Sequence, residues 1–488
     1  MIQVSEVTKI RRKVLAEICG LVFQGKLVEK IKELPGEVVT EDGPRYRCCV
    51  HKERAVLKDR INMALSQPIG TDLTVAAERA LAGETATLPV VTILPEACDR
   101  CPIDKFLVTD ACRNCLAHNC ITSCPKKAIM VVQNRAYIDK ARCVECGLCK
   151  RSCSYGAIIE ISRPCERACE LQAVTAGVDR RAVIDYNKCV ACGACKVACP
   201  FGAISDAAQI VQLIRGLQGP RPVYALLAPA FVGQFGANVK PPQVIAALSQ
   251  LGFADVVEAA CGADIVAAAE TAEFHEAMEE GRSFFTTSCC PAFVGMIEKH
   301  MPELVPHVST TVSPMIAAAK IIKAADPEAL VAFVGPCVAK KGEGRQHPDL
   351  IDFVLTFEEM AAVLVGAGIN AAAMEATSFM SKASSDGATF ARAGGVTQAV
   401  ANALARLAPE VEFKPQPCDG LESCRETLRK LTQNKLDANF IEGMACPGGC
   451  VGGPGTLTDP RVSTRLVEQF AAAAKAKDAG EKTGTQAG

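Results

Sequence analysis

Residues 136–158 read AYIDKARCVECGLCKRSCSYGAI, and residues 182–204, 46 positions on, read AVIDYNKCVACGACKVACPFGAI. Cys143, Cys146, Cys149 and Cys153 of the first stretch become Cys189, Cys192, Cys195 and Cys199 of the second. Both sets follow C-x2-C-x2-C-x3-C. Three thiolates on so tight a loop reach three corners of a 4Fe–4S cubane, while the fourth points away to a neighbouring cluster. A zinc ribbon needs two separated C-x2-C knuckles, which this spacing does not supply. The repeat extends upstream, where Cys120 and Cys124 precede the first copy and Cys165 and Cys169 the second, each pair spaced C-x3-C. A repeat of this kind implies a duplicated structural unit.

The surrounding chain narrows the class. It has 488 residues, 27 of them cysteine, and 49% hydrophobic residues. Disulfide scaffolds are usually small chains that cannot build a core, so metal ligation in a reducing compartment, the cytoplasm, is the better account of the thiols. The formal charge is −1, with 53 basic and 54 acidic residues, which lacks the basic excess that phosphate binding requires. No apolar run is long enough to cross a bilayer. The opening MIQVSEVTKIRRKVLAEICG reads as an amphipathic helix rather than a secretory signal.

The expected fold class is multidomain, with α+β cluster-binding repeats followed by an α/β catalytic domain. Residues 1–90 read as mainly helical with a break around Pro35–Gly43, residues 91–206 as the duplicated cluster region, and residues 207–465 as α/β. In the last, short apolar strands (VYALLAPA, ALVAFVGPC) alternate with helical stretches such as PPQVIAALSQL. The tail at 466–488 is low in complexity and is expected to be frayed. Cys48 and Cys49 stand apart from the other thiols; half-buried thiols and ligands are both open readings for them.

The cluster region resembles bacterial two-cluster ferredoxins, whose cubanes pass single electrons. Crossed ligation as in that family gives one cluster on Cys112, Cys115, Cys120 and Cys153, and a second on Cys143, Cys146, Cys149 and Cys124. A third takes Cys189, Cys192, Cys195 and Cys169. That strands Cys165 and Cys199, and the remaining C-x2-C pair, Cys98 and Cys101, lies upstream. A fourth cluster on Cys98, Cys101, Cys165 and Cys199 is therefore expected, the alternative being spare thiols or a small zinc knuckle.

Three later segments carry a second constellation: TTSCCPAF with Cys289 and Cys290, FVGPCVAKKGE with Cys337 and Lys340, and EGMACPGGCVGGPG with Met444, Cys446 and Cys450. Together with STTVSP, FVLTFEEMA and ARAGGVTQAV they resemble the FeFe-hydrogenase family over roughly residues 95–465. That resemblance implies that Cys290, Cys337, Cys446 and Cys450 hold a further 4Fe–4S cluster. Cys450 would bridge it to a diiron subsite bearing carbon monoxide, cyanide and a dithiolate, the two parts forming the H-cluster. It implies that Cys289 shuttles protons, that Lys340 donates to a cyanide and that Met444 packs near the diiron unit. Glu270, Glu273 and Ser309 fall where the family's proton relay falls, although the glutamates could instead line a solvated helix face. Departures are CCPAF where the best-known branch has CCPGW, Gly335 where it has methionine, and Ala277 nearest the place of its relay arginine. Cys418 and Cys424 are expected as structural thiols.

The expected activity is reversible oxidation of H2 with electrons from a ferredoxin-type carrier, the diiron unit being supplied by maturation proteins. The alternatives are H2 sensing and a non-catalytic relative that keeps cubanes alone.

Overall fold

The computed structural model describes residues 4–43, 46–101, 105–236, 238–376 and 383–484, with side chains as far as 474. Eight short strands build the cysteine-rich region: β1 (Val91–Ile93), β2 (Phe106–Val108), β3 (Ile129–Val132), β4 (Arg135–Ile138), β5 (Ile158–Glu160), β6 (Val174–Ala176), β7 (Ala182–Ile184) and β8 (Ile204–Asp206). All pair antiparallel: β2 with β5, β3 with β4, β6 with β7, and β1 with β8.

These pairings nest one unit inside another. β5 and β8 are 46 residues apart, yet the partner of β8 is β1, which precedes the whole first unit. The first unit (105–160) is thus inserted into a loop of the second, which is assembled from residues 91–101 and 164–206. Its two ends meet, Ile161 N donating to Lys105 O at 2.7 Å. The repeat reproduces a salt bridge as well: Lys150 pairs with Glu160 at 3.0 Å and Lys196 with Asp206 at 2.5 Å.

The remaining strands are β9 (Val223–Leu227), β10 (Asp255–Glu258), β11 (Phe285–Thr286), β12 (Leu330–Gly335), β13 (Phe353–Thr356), β14 (Pro415–Asp419) and β15 (Phe440–Met444). They form two parallel sheets, ordered β10-β9-β12-β13 and β11-β15-β14. The near-continuous apolar run LVAFVG of β12 is what a parallel strand covered on both faces requires. Helices Pro241–Leu251, Ala259–Glu279, Pro314–Ala325 and Phe357–Gly366 lie in the connections between these strands.

The N-terminal helix Glu6–Phe23 buries Val14, Ile18, Cys19 and Val22 in the same core as β9, β12 and β13. It crosses helix Phe357–Gly366 so closely that a Cβ at Gly366 would stand 2.5 Å from that of Cys19. Of the stretch expected as a frayed tail, residues 466–484 instead continue helix Pro460–Gly484, rich in the good helix formers Ala, Lys and Glu; residues 485–488 lie outside the described residues. Among the described residues no helix is long and apolar enough to cross a membrane.

Candidate functional site

Parallel strands place ligands beyond their carboxyl ends, and the second constellation lies there. β11 runs into Ser288, Cys289 and Cys290, β12 into Pro336 and Cys337, and β15 into Cys446 and Cys450. Cys290 is the N-cap of helix Pro291–His300. The PGGC turn needs its glycines: Gly449 has φ +86°, and a Cβ there would meet Ala393 N at 2.6 Å. Two backbone bonds clamp this turn to the ARAGG loop, Ala393 N to Gly448 O and Val451 N to Ala391 O, both at 3.0 Å.

Cys290, Cys337, Cys446 and Cys450 converge. Burial, then the neighbouring thiolates at Cys337 and Cys290, push the Cys450 thiol up to about 12. Burial and Cys290 push Cys337 up to about 11. Cys446 is raised by burial and by Cys337, Cys290 and Cys450 together. Four thiols held this close, each disfavoured as a free thiolate, are a donor set suited to iron, which binds them as thiolates.

Beside them is a cavity of about 80 Å3 lined by Cys289, Lys340, Met444, Phe333 and alanines and prolines such as Ala230 and Pro229. Lys340 is buried; its Nζ lies 2.6 Å from Glu343 Oε2 and donates to Cys289 O at 3.4 Å. Burial alone would lower its pKa, but Glu343 outweighs burial and keeps the ammonium charged. Cys289 is raised well above an ordinary thiol by burial and then by Glu270.

Glu270 is fully buried, which rules out a solvated face for it. Its Oε1 accepts from Ser288 N at 3.0 Å and Ser288 Oγ at 3.4 Å, and its Oε2 has no partner among the described residues. Burial pushes it up to about 8, so it holds a proton at neutral pH. Glu273, one turn on, is half-buried and accepts from Ser309 Oγ at 2.6 Å, Thr310 N at 3.0 Å, Thr310 Oγ1 at 2.6 Å and Thr311 Oγ1 at 3.0 Å. Burial raises it, but these bonds prevail and its pKa is lowered. The helix thus carries a neutral carboxyl inside and an ionised one toward solvent.

The cysteine-rich units present four further groups. In the second unit, beyond burial, Cys169 raises Cys189, Cys169 and Cys189 raise Cys192, and all three raise Cys195. Cys192 also acts on Cys446, and Cys195 senses Cys165. Beyond burial, Cys199 and Cys98 raise Cys101, and Cys199 and Cys101 push Cys165 up to about 11. The structure thus brings together the four residues expected to share a fourth cluster. Ala182 N donates to Cys98 Sγ at 3.4 Å, as Ala136 N, 46 residues earlier, donates to Cys112 Sγ at 3.5 Å. Cys98 therefore stands where Cys112 stands in the first unit. There, Cys124, Cys143, Cys146 and Cys149 line one small cavity, and Cys120 neighbours Cys153 and Cys112. Cys115 is half-buried on the same loop.

Cys48 and Cys49 are exposed, not half-buried, with sulfurs 3.8 Å apart. Cys418 and Cys424 are buried and donate to the carbonyls of Glu442 and Cys418, as structural thiols do. Sequence reasoning missed Glu442, a buried carboxylate on β15 that accepts from Gly394 N at 2.8 Å and Thr397 N at 2.7 Å, at the start of helix Gly395–Leu407. An acid in the otherwise apolar strand FIEGM was the available signal. It also missed the ion network in which Lys341 joins Asp206 at 2.7 Å and Glu359 at 2.6 Å.

Parallel sheets in an α/β arrangement, a cage of four half-buried cysteines and further cysteine groups define an iron–sulfur redox protein. Residues 221–454 match the C-terminal domain of the iron-only hydrogenase large chain, and residues 182–205 match the 4Fe-4S binding domain. The chain belongs to the FeFe-hydrogenase family. It is 30% identical to iron hydrogenase 1 of Clostridium pasteurianum over 292 residues, 51% of this chain and 50% of that one. It is 28% identical to the periplasmic [Fe] hydrogenase large subunit of Nitratidesulfovibrio vulgaris over 283 residues, 47% of this chain and 67% of that one. It is also 26% identical to cytosolic iron-sulfur assembly component 3 of Bos taurus over 224 residues, 36% of this chain and 47% of that one. The chain spans half the length of the first of these relatives.

Proposed function

We propose that this protein is a hydrogenase that interconverts H2 with two protons and two electrons. What carries the reading is the apolar cavity beside the four-cysteine cage, with a buried thiol that is not one of the four, Cys289, and a buried ammonium, Lys340, on its walls. Cubane binding alone needs neither. Cys290, Cys337, Cys446 and Cys450 would hold the active-site cubane, with Cys450 shared with the diiron subsite. That subsite, when bound, supplies the metal centre at which H2 is made or split. Lys340 orients an anionic ligand by a charge-assisted bond, and Met444 and the small apolar residues exclude water. Cys289 passes a proton to or from Glu270, and Ser288, Glu273 and Ser309 continue the path outward.

Electrons would reach the cage through a duplicated ferredoxin-like arrangement with four relay cubanes, entering from a ferredoxin-type carrier. Maturation proteins would supply the diiron unit, and the free thiols suit the cytoplasm. A second reading is a non-catalytic cluster protein, favoured by the likeness to the bovine assembly component; H2 sensing would retain the cofactor but turn over slowly. Infrared spectroscopy of the matured protein separates them. Carbon monoxide and cyanide bands with H2 turnover in both directions are expected; bands without turnover would point to sensing, and cubanes without bands would overturn the proposal.

A further inference from the structure

The two units of the cysteine-rich region are copies, so a surface covered on one and bare on the other marks a place for something outside the chain. On the second unit, the end bearing Cys98, Cys101, Cys165 and Cys199 is covered by the N-terminal helices. Arg47 donates to Phe201 O at 2.8 Å and Ala97 O at 3.4 Å, and Arg60 donates to Gly202 O at 2.9 Å. A Cβ at Gly202 would stand 2.5 Å from Val7. The corresponding residues of the first unit are Tyr155 and Gly156. A Cβ at Gly156 would meet nothing within 4 Å, Tyr155 is 59% exposed, and Leu116, beside Cys115, is 97% exposed.

This bare end is also the far end of the row of cysteine groups. Cys192 is beside Cys446 and Cys195 beside Cys165. Arg180 of the second unit shares a cleft with Cys143 and Val144 of the first. That leaves Cys112, Cys115, Cys120 and Cys153 outermost. The charge is asymmetric too: residues 105–160 carry nine Lys and Arg against four Asp and Glu, in a chain whose net charge is −1. Arg113 and Arg151, close in sequence to the outermost ligand positions, are exposed or nearly so.

Resting on the proposed redox function, we infer that the face built by Arg113, Leu116 and Tyr155 is the docking site of an acidic one-electron carrier protein. Exposed apolar side chains with the exposed Arg113 and Arg151 close in sequence, on a unit with a basic excess, fit a partner of opposite charge, which steers encounter and sets the on-rate. A cubane held by Cys112, Cys115, Cys120 and Cys153 would gain the one electron that the reduced carrier loses at this face, with no proton moved. Two such transfers supply one H2.

The test uses the full chain with its clusters assembled and a reduced, acidic 2Fe–2S ferredoxin as probe, whose reoxidation is followed by stopped-flow absorbance. The second-order rate is expected to fall as salt is raised from about 50 to about 500 mM, and to drop roughly tenfold or more in Arg113→Glu/Leu116→Glu. Val178→Glu, which adds charge at an exposed site on the second unit, should stay within about twofold of wild type. Dithionite should reduce all of them alike, which checks that the clusters are intact. Should the double variant lose iron, Tyr155→Glu is read in its place. A wild-type rate in the face variants, an equal loss in Val178→Glu, or a dimer that Leu116→Glu dissolves would each overturn the inference. Because H2 is not read, a chain that takes electrons from ferredoxin but shows no carbon monoxide or cyanide bands would overturn the hydrogenase reading and leave the docking face standing.

Discussion

Glu270 and Glu273 lie one turn apart on helix Ala259–Glu279 and hold opposite charge states at neutral pH. Glu270 ionises near 4.5 when exposed and near 8 when folded, so between those values the folded chain keeps a proton that the unfolded chain has released. The stability from this neutral carboxyl is complete below pH 4.5 and is lost as pH rises to about 8. Glu270→Gln, which needs no proton, should gain on wild type by on the order of a few kcal/mol across that window; thermal melts at a series of pH values check this, and parallel curves would contradict it. Cys289→Ala should keep its iron and its infrared bands but lose roughly 10²–10⁴-fold in turnover, since that is the worth of a positioned proton donor. Loss of the bands instead would make Cys289 structural. Cys289 and Lys340 were legible because they sit in short motifs with their chemistry on display. Glu442 and Lys341 were not, because their importance lies in having no water around them, and only packing reveals that.

Between residue and molecule lies the nested pair of units. The 46-residue period announced a duplication, and counting thiols paired Cys98 and Cys101 with Cys165 and Cys199. The nesting was not legible, because β1 carries no cysteine motif and its partner β8 lies more than 100 residues downstream; nothing local encodes such a pairing. The insertion can be tested directly. Its ends are already joined by the Ile161–Lys105 hydrogen bond, so replacing residues 106–160 with a two-residue glycine link should leave β1–β8 and the inner cysteine groups in place. Iron content should fall by two cubanes, and the active-site bands should persist. Disappearance of those bands would mean that the first unit supports the core as well as the relay.

Across the whole molecule, one ion network ties the parts together. Asp206 at the end of the second unit holds Lys196 of its own unit and Lys341 of the catalytic part, and Lys341 also holds Glu359. Burial would raise Asp206, but the two lysines outweigh it and hold its carboxyl far below the usual range. Removing one member of a buried set leaves its partners uncompensated, at a cost of about 3–5 kcal/mol. Lys341→Met should therefore lower the melting temperature and open the 206–209 junction to protease; an unchanged melt would show that the junction does not depend on this ion pair. The helices at 6–82 share the core of the parallel-sheet part, so a cut at residue 206 would remove core as well as the cysteine-rich units. The nesting also sets an order in time. On the ribosome, of the thiols in the cysteine-rich region Cys98 and Cys101 emerge first, then the whole first unit, and only then Cys165, 64 residues after Cys101. At roughly 5–20 residues per second, the earliest thiols wait for seconds while eight later ones can close around their own iron. The unit nearest the active site is thus the last to be completed, and a nascent chain that stalls in between carries a finished outer unit and an open inner one.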